Sequence, residues 1–350
     1  MENNKFGNRI TDNALSADNG ELVIAKALDY LKNKSGWETA EDKPLFSGVY
    51  YDSRKVGSYI VKVKKDNKKA VLKLQLKPLT FDEGFIIRHI NKYNKSQKIK
   101  TLNILDDLSW NKELGFGYLV FEDISPLDNL WKSNVTDEKD RELHRNFLKE
   151  FFTNTLPIEP WIEKPEVDLR RAYKETFSHF EEIAAKSDYH HIESEKVDEY
   201  KKIYYGVVDK LQFIQPHFTH GHLSGKDVKY NQEKKEFILM ANLYWSFRPK
   251  YYELAFPMWV DIMHFRKKDL NLDEVLERIN SWGKLWEDNL YNHNPLNTDQ
   301  YWFNLLERAM VTIMLDLGAS EWKKEEEKEL TSLLNVWQEL FNWIVNNKFG

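Results

Sequence analysis

The spacing of hydrophobic residues along the chain changes twice. In "NGELVIAKALDYLKNKSG", Leu22, Ile24, Ala25, Leu28 and Leu31 fall at helical spacing, which predicts a helix that Gly36 ends. From Leu45 the period shortens to two. The stretch "LFSGVYYDSRKVGSYIVKVKKDNKKAVLKLQLKP" is enriched in Val and Ile and predicts three strands, with turns at 52–57 and 66–69. In the third strand Ala70, Leu72, Leu74 and Leu76 share one face, and Val71, Lys73 and Gln75 share the other. "FDEGFIIRHINKYNKS" returns to helical spacing, and "IKTLNILDDLSW" and "FGYLVFED" predict two further strands. An antiparallel sheet of five strands carrying one helix is thus complete by residue 122.

Beyond residue 122 helical spacing dominates, in segments near 137–153, 167–186, 192–213, 251–266, 272–290, 299–317 and 321–346. Two short strands interrupt at 228–230 and 237–240, separated by the polar turn "NQEKK". In the last helix Leu330, Leu333, Leu334, Trp337, Leu340, Phe341 and Ile344 line one face. The expected fold class is α+β in two lobes. An N-terminal extension with one helix (1–42) precedes a small sheet-rich lobe (43–122). A large, mainly helical lobe (123–350) follows and contains a loop and hairpin at 217–245.

Composition narrows the function classes. The 350 residues are 41% hydrophobic and 14% aromatic, enough for a sizeable core. The tryptophans of the helical lobe, including Trp259, Trp282, Trp286, Trp302 and Trp337, mostly fall on apolar helical faces and are read as core. The net charge of −5 argues against general nucleic-acid binding. With no cysteine, disulfides, thiolate metal sites and cysteine nucleophiles are excluded. The first twenty residues are polar and lack the apolar centre of a signal peptide, and no apolar run reaches membrane-spanning length. A soluble cytoplasmic protein without membrane contact is expected.

The densest candidate chemistry is "HFTHGHLSGKDV", residues 217–228, with three histidines within six positions. Imidazole suits zinc. On a strand His220 and His222 would share a face that His217 does not, and no carboxylate stands at a standard metal-motif spacing. A second reading comes from five segments in order: "AVLKL", "EGFIIRHI", "YLVFEDIS", "HGHLSGKDV" and "RPKYYELAF". Together with the element order, over residues 45–265, they resemble the protein-kinase-like fold in its aminoglycoside and choline phosphotransferase branch.

That resemblance implies ATP and Mg2+ as cofactors and assigns roles. Lys73 would contact the nucleotide phosphates and pair with Glu83 on the following helix. Residues 54–77 hold eight lysines and one arginine against a single aspartate, so Lys73 also reads as one more surface lysine. Gly57 and Ser58 would cover the phosphates, an ordinary hairpin turn being the alternative. Backbone groups at Phe121, Glu122, Asp123 and Ile124 would meet the adenine.

The loop departs from the family pattern. His220, Gly221, Leu223 and Val228 keep their places. His222 stands for the catalytic aspartate, Ser224 for a second histidine, and Asp227 for a metal-binding asparagine. Asn242 aligns with a metal-binding aspartate, with Ala241 as competitor, and Glu253 stands for a further aspartate. Catalysis would fall to His222 and Asp227, and metal binding to Asp227 and Asn242. The preferred reading is a degenerate pseudokinase that acts by binding a nucleotide, a metabolite or a partner. The alternative is an active ATP-dependent small-molecule kinase with an altered loop. Its partner would be a small-molecule acceptor or a protein, which no residue after 123 identifies. An unrelated scaffold would leave Lys73 and Glu83 beyond salt-bridge reach.

Overall fold

The computed structural model describes residues 17–48, 58–76, 78–79, 81–130, 138–164, 169–211, 216–287 and 294–350. Gly57, expected over the phosphates, lies outside the described residues. The small lobe begins with α1 (Ala17–Ser35), which ends at Gly36 in a left-handed conformation (φ +72°). Its sheet runs β1 (Glu38–Thr39), β3 (Ser58–Lys65), β4 (Lys68–Gln75), β7 (Phe116–Glu122) and β6 (Ile104–Asn111), all antiparallel, and β2 (Phe46–Gly48) also pairs with β3. A turn at Asp66–Asn67 joins β3 to β4, with Asp66 at φ +53°.

Both faces of β4 are covered, as its alternation predicts. Ala70, Leu72 and Leu74 pack with Ala27 and Leu31 of α1, Trp37, Phe116 and Val120. Val71 packs with Leu119, Phe121, Leu102 and Ile87 of α2 (Glu83–Tyr93). Lys73 points to this second face, level with Ile60 and Leu119 on the flanking strands.

One predicted strand divides. "IKTLNILDDLSW" breaks at Leu102–Asn103, and its first part, β5 (Ile99–Thr101), leaves the small sheet to pair in parallel with β11 (Glu236–Leu239) of the large lobe. The cause is packing: Ile99 is fully buried in the large core with Phe237 and Leu239. The hairpin β10 (Val228–Asn231) and β11 occurs as predicted, with β8 (Asp128–Asn129) added at its edge.

Among the described residues the large lobe contains α3 (Glu138–Glu150), α4 (Leu169–Ala184), α5 (Ser194–Lys210), α6 (Tyr252–His264), α7 (Leu272–Glu287), α8 (Asp299–Val311) and α9 (Glu327–Ile344). Trp245, Trp286, Trp337, Phe147, Phe303 and Phe341 are fully buried in its core. Sequence reading placed no pair of strands beside the histidine-rich loop, yet β9 (Pro216–His220) and β12 (Trp245–Pro249) form one there. No helix of the described residues is long and apolar enough to cross a membrane.

Candidate functional site

The site begins where β4 meets α2. Lys73 Nζ lies 2.5 Å from Glu83 Oε2, with Glu83 buried and Lys73 partly so. Glu83 is the first residue of α2, so its position depends on how that helix docks. Asp82 accepts a hydrogen bond from the Trp110 amide (3.4 Å), and Arg88 pairs with Asp107 (2.9 Å), both across to β6. A Cβ on Gly84 would sit 2.9 Å from Asp107 Oδ2, so the missing side chain permits this approach.

Side chains of both lobes also pack into an apolar cluster. Ile60, Val71 and Phe121 of the sheet meet Ile124 from the connection and Ile238 and Met240 from the hairpin. Sequence reading named Phe121 and Ile124 but missed Ile60, Val71, Ile238 and Met240. Each is an ordinary apolar residue at a strand position, and only the docking of the hairpin under the sheet brings them together. Glu122 and Asp123 are engaged locally: Asn103 Nδ2 donates to Glu122 (2.7 Å), and the Ser125 amide donates to Asp123 (2.9 Å). Ser58 is the first residue of β3, opposite Gly48 and Gln75.

The loop after β9 is fixed from inside. His220 is fully buried. Its Nε2–H donates to the Met240 carbonyl (3.0 Å), and its Nδ1 accepts from the His222 amide (3.3 Å). Both nitrogens are thus satisfied in the neutral ring, and burial pushes its pKa down to about 4. The Gly221 amide donates to the Tyr244 carbonyl (3.0 Å), and a Cβ there would come within 2.5 Å of that oxygen. His217 is exposed on β9. With His220 committed in this way, the three histidines do not assemble a metal site. Among the described residues no group of three histidine, aspartate or glutamate side chains is placed to hold a metal.

His222 and Asp227 do come together. Asp227 Oδ2 accepts from His222 Nδ1–H (3.0 Å), the Ser224 amide (3.1 Å) and the Ser224 hydroxyl (2.5 Å). Burial alone would raise the Asp227 pKa, but these hydrogen bonds and the neighbouring imidazoles outweigh it and hold the carboxyl below its ordinary value. The His222 ring stacks on Tyr244 (centroids 4.5 Å apart) and leans on Phe256 (4.6 Å). Its Nε2 has no hydrogen-bond partner among the described residues.

Asn242 follows Ala241, which is left-handed at φ +54°, and opens a short 3-10 turn packed beside α2. Its side chain is fully enclosed. Nδ2 donates to the Leu239 carbonyl (3.1 Å), and Oδ1 has no hydrogen-bond partner. Glu253, beside Thr219, is buried, and burial pushes its pKa up to about 7.

These donors do not fit Mg2+, which wants near-octahedral oxygen ligands, keeps several waters and is drawn to carboxylates. Asp227 Oδ2 is already filled by three donors, which leaves Oδ1 as the single carboxylate oxygen for a cation. The Asn242 oxygen is neutral and fully enclosed.

No family model and no curated protein matches the sequence. Solved structures match the fold. A thermostable mutant of the aminoglycoside phosphotransferase APH(4)-Ia, in ternary complex with ADP and hygromycin B, superposes with a TM-score of 0.58 at 12% identity, covering 93% of this chain and 99% of that one. The choline kinase of Cryptosporidium parvum Iowa II gives 0.54 at 11% identity, covering 94% and 97%. An amicoumacin kinase in complex with AMP-PNP, Ca2+ and Ami gives 0.52 at 13% identity, covering 91% and 96%. The chain therefore has the two-lobed, protein-kinase-like fold of aminoglycoside phosphotransferases and choline kinases.

Proposed function

We propose that this chain is a nucleotide-binding pseudokinase. One contrast carries the reading: the Lys73–Glu83 pair is formed at 2.5 Å, while the loop carboxylate of Asp227 is turned onto His222 and Ser224. Lys73 attracts the phosphates, Glu83 holds Lys73 in place, and the base lies against the partly buried Ile60, Ile124 and Met240 at the edge of the apolar cluster. The nucleotides in the solved complexes, ADP and AMP-PNP, support this class of ligand. Phosphoryl transfer needs an oriented acceptor hydroxyl and neutralised charge. At 222 the group facing that task is an imidazole wedged between two aromatic rings, and transfer is lost or very weak.

The test is thermal unfolding with millimolar ATP, alongside an ATP-consumption assay. At 100 times its Kd, ATP stabilises by about 2.7 kcal/mol, and Lys73→Ala removes the shift. Wild type shows no consumption, and the double variant His222→Asp, Asn242→Asp gains it.

One observation favours an active enzyme instead. With Nδ1–H held by Asp227, His222 presents Nε2 as an oriented proton acceptor. In that reading His222 receives the proton of an acceptor alcohol. Wild-type ATP consumption that requires an alcohol and disappears in His222→Ala decides for it and against the pseudokinase.

A further inference from the structure

We infer that the cleft takes its nucleoside di- or triphosphate without a divalent cation. This rests on the nucleotide-binding reading above and adds what neutralises the phosphates. The positions facing them carry little negative charge: His222 and Asn242 are not acids, and Asp227 is the one carboxylate of the three. That carboxylate faces its own loop, since one oxygen receives the His222 Nδ1–H and both Ser224 donors.

Two features make a cation unfavourable here. Asp227 can offer a cation Oδ1 alone, because a second, bidentate contact through Oδ2 would release charge-assisted hydrogen bonds, including the 2.5 Å bond from Ser224. Asn242 would have to bring a fully enclosed side chain to the surface and break its bond to the Leu239 carbonyl. A bare polyphosphate asks for neither. It meets Lys73, held by Glu83 and partly exposed, and of positions 222, 227 and 242 only Asp227 carries a carboxylate, already hydrogen-bonded.

The experiment is isothermal titration calorimetry of the full chain with ATP and with ADP, in EDTA and then in excess Mg2+. Dissociation constants that agree within about fivefold between the two conditions support the inference, fivefold being about 1 kcal/mol. Tightening beyond fivefold with Mg2+ overturns it and leaves the nucleotide reading standing. No binding in either condition overturns both. Lys73→Ala, checked for folding by circular dichroism, should lose binding in EDTA and in Mg2+ alike. The variant His222→Asp, Asn242→Asp should acquire Mg2+ dependence, read as a Kd ratio between the two conditions above tenfold. A ratio near one in that variant would mean that the donors are not what decides, and would overturn the argument.

Discussion

Replacing Asp227 with alanine removes one oxygen on which three donors converge. Hydrogen bonds to an ionised acceptor contribute about 1.5–3 kcal/mol each, but these three share an atom and are not additive. The side chain is also only 16% exposed, so part of the gain offsets the cost of burying the charge. The expected loss is about 2–4 kcal/mol, which is a few degrees in Tm for a chain of this length. Ser224→Ala removes only the hydroxyl bond, about 1–2 kcal/mol, and a double-mutant cycle with Asp227→Ala should show coupling of about 1 kcal/mol or more. Urea unfolding at several pH values checks both. The sign follows from the lowered folded pKa: as pH falls, the unfolded chain protonates first. The contribution of Asp227 is therefore full above about pH 4 and disappears as pH falls through the lower folded value. A loss under about 0.5 kcal/mol at pH 7, or a wild-type advantage that persists below the folded pKa, would refute the account of this loop.

Other positions give sharper tests of the packing. Gly221→Ala forces a Cβ to within 2.5 Å of the Tyr244 carbonyl and 2.9 Å of Ser246 Oγ, and should cost about 1–3 kcal/mol in urea unfolding. Asp261 accepts two bonds from Arg278 (2.5 and 3.0 Å) and one from Trp282 Nε1 (2.9 Å), so Asp261→Ala should lose about 3–5 kcal/mol, with no aid from added ATP in the Lys73→Ala background. Glu253 stays protonated in the fold up to about pH 7, so its own contribution should fall by about 1.4 kcal/mol per pH unit between 4.5 and 7, read as the change in the stability difference between wild type and Glu253→Gln across that range. His220, held neutral down to about pH 4, acts on the other side: stability present above about pH 6.5 falls as pH drops toward 4, and His220→Gln flattens that limb.

The small lobe was legible because its rules are local. Alternation along β4 assigns Ala70, Leu72 and Leu74 to one core and Val71 to another, and helices cover both faces. The same alternation sends Lys73 toward α2, where the first residue, Glu83, meets it. What local rules could not supply was the fate of short strands. Three residues, Ile99–Thr101, carry too little pattern to choose a partner, and a buried contact with Phe237, far along the chain, chooses for them. β9 and β12 were missed likewise: "HFTH" and "WSFR" look like loop and strand fragments until Trp245 pairs with His220.

The loop marks the limit more sharply. Residue types there were readable, so His222, Asp227 and Asn242 could be set against the pattern that the resemblance implies. Direction could not. Four residues separate His222 from Asp227, and whether they touch depends on a turn held by the Ser224 carbonyl accepting from the Asp227 amide, with the Met240 amide, just after β11, donating to the Asp227 carbonyl. Once that turn forms, the carboxylate is a structural acceptor rather than a free ligand. An acid at 222 would replace the ring between Tyr244 and Phe256, remove the donor on Asp227 and restore a charge where none now faces the cleft. Positions 222 and 227 are therefore coupled: changing His222 alone leaves Asp227 without its partner. His222→Asp alone should be less stable than His222→Asp combined with Asp227→Asn, because the single variant sets two carboxylates against each other. Equal stability of the two at neutral pH would show that His222 and Asp227 act independently.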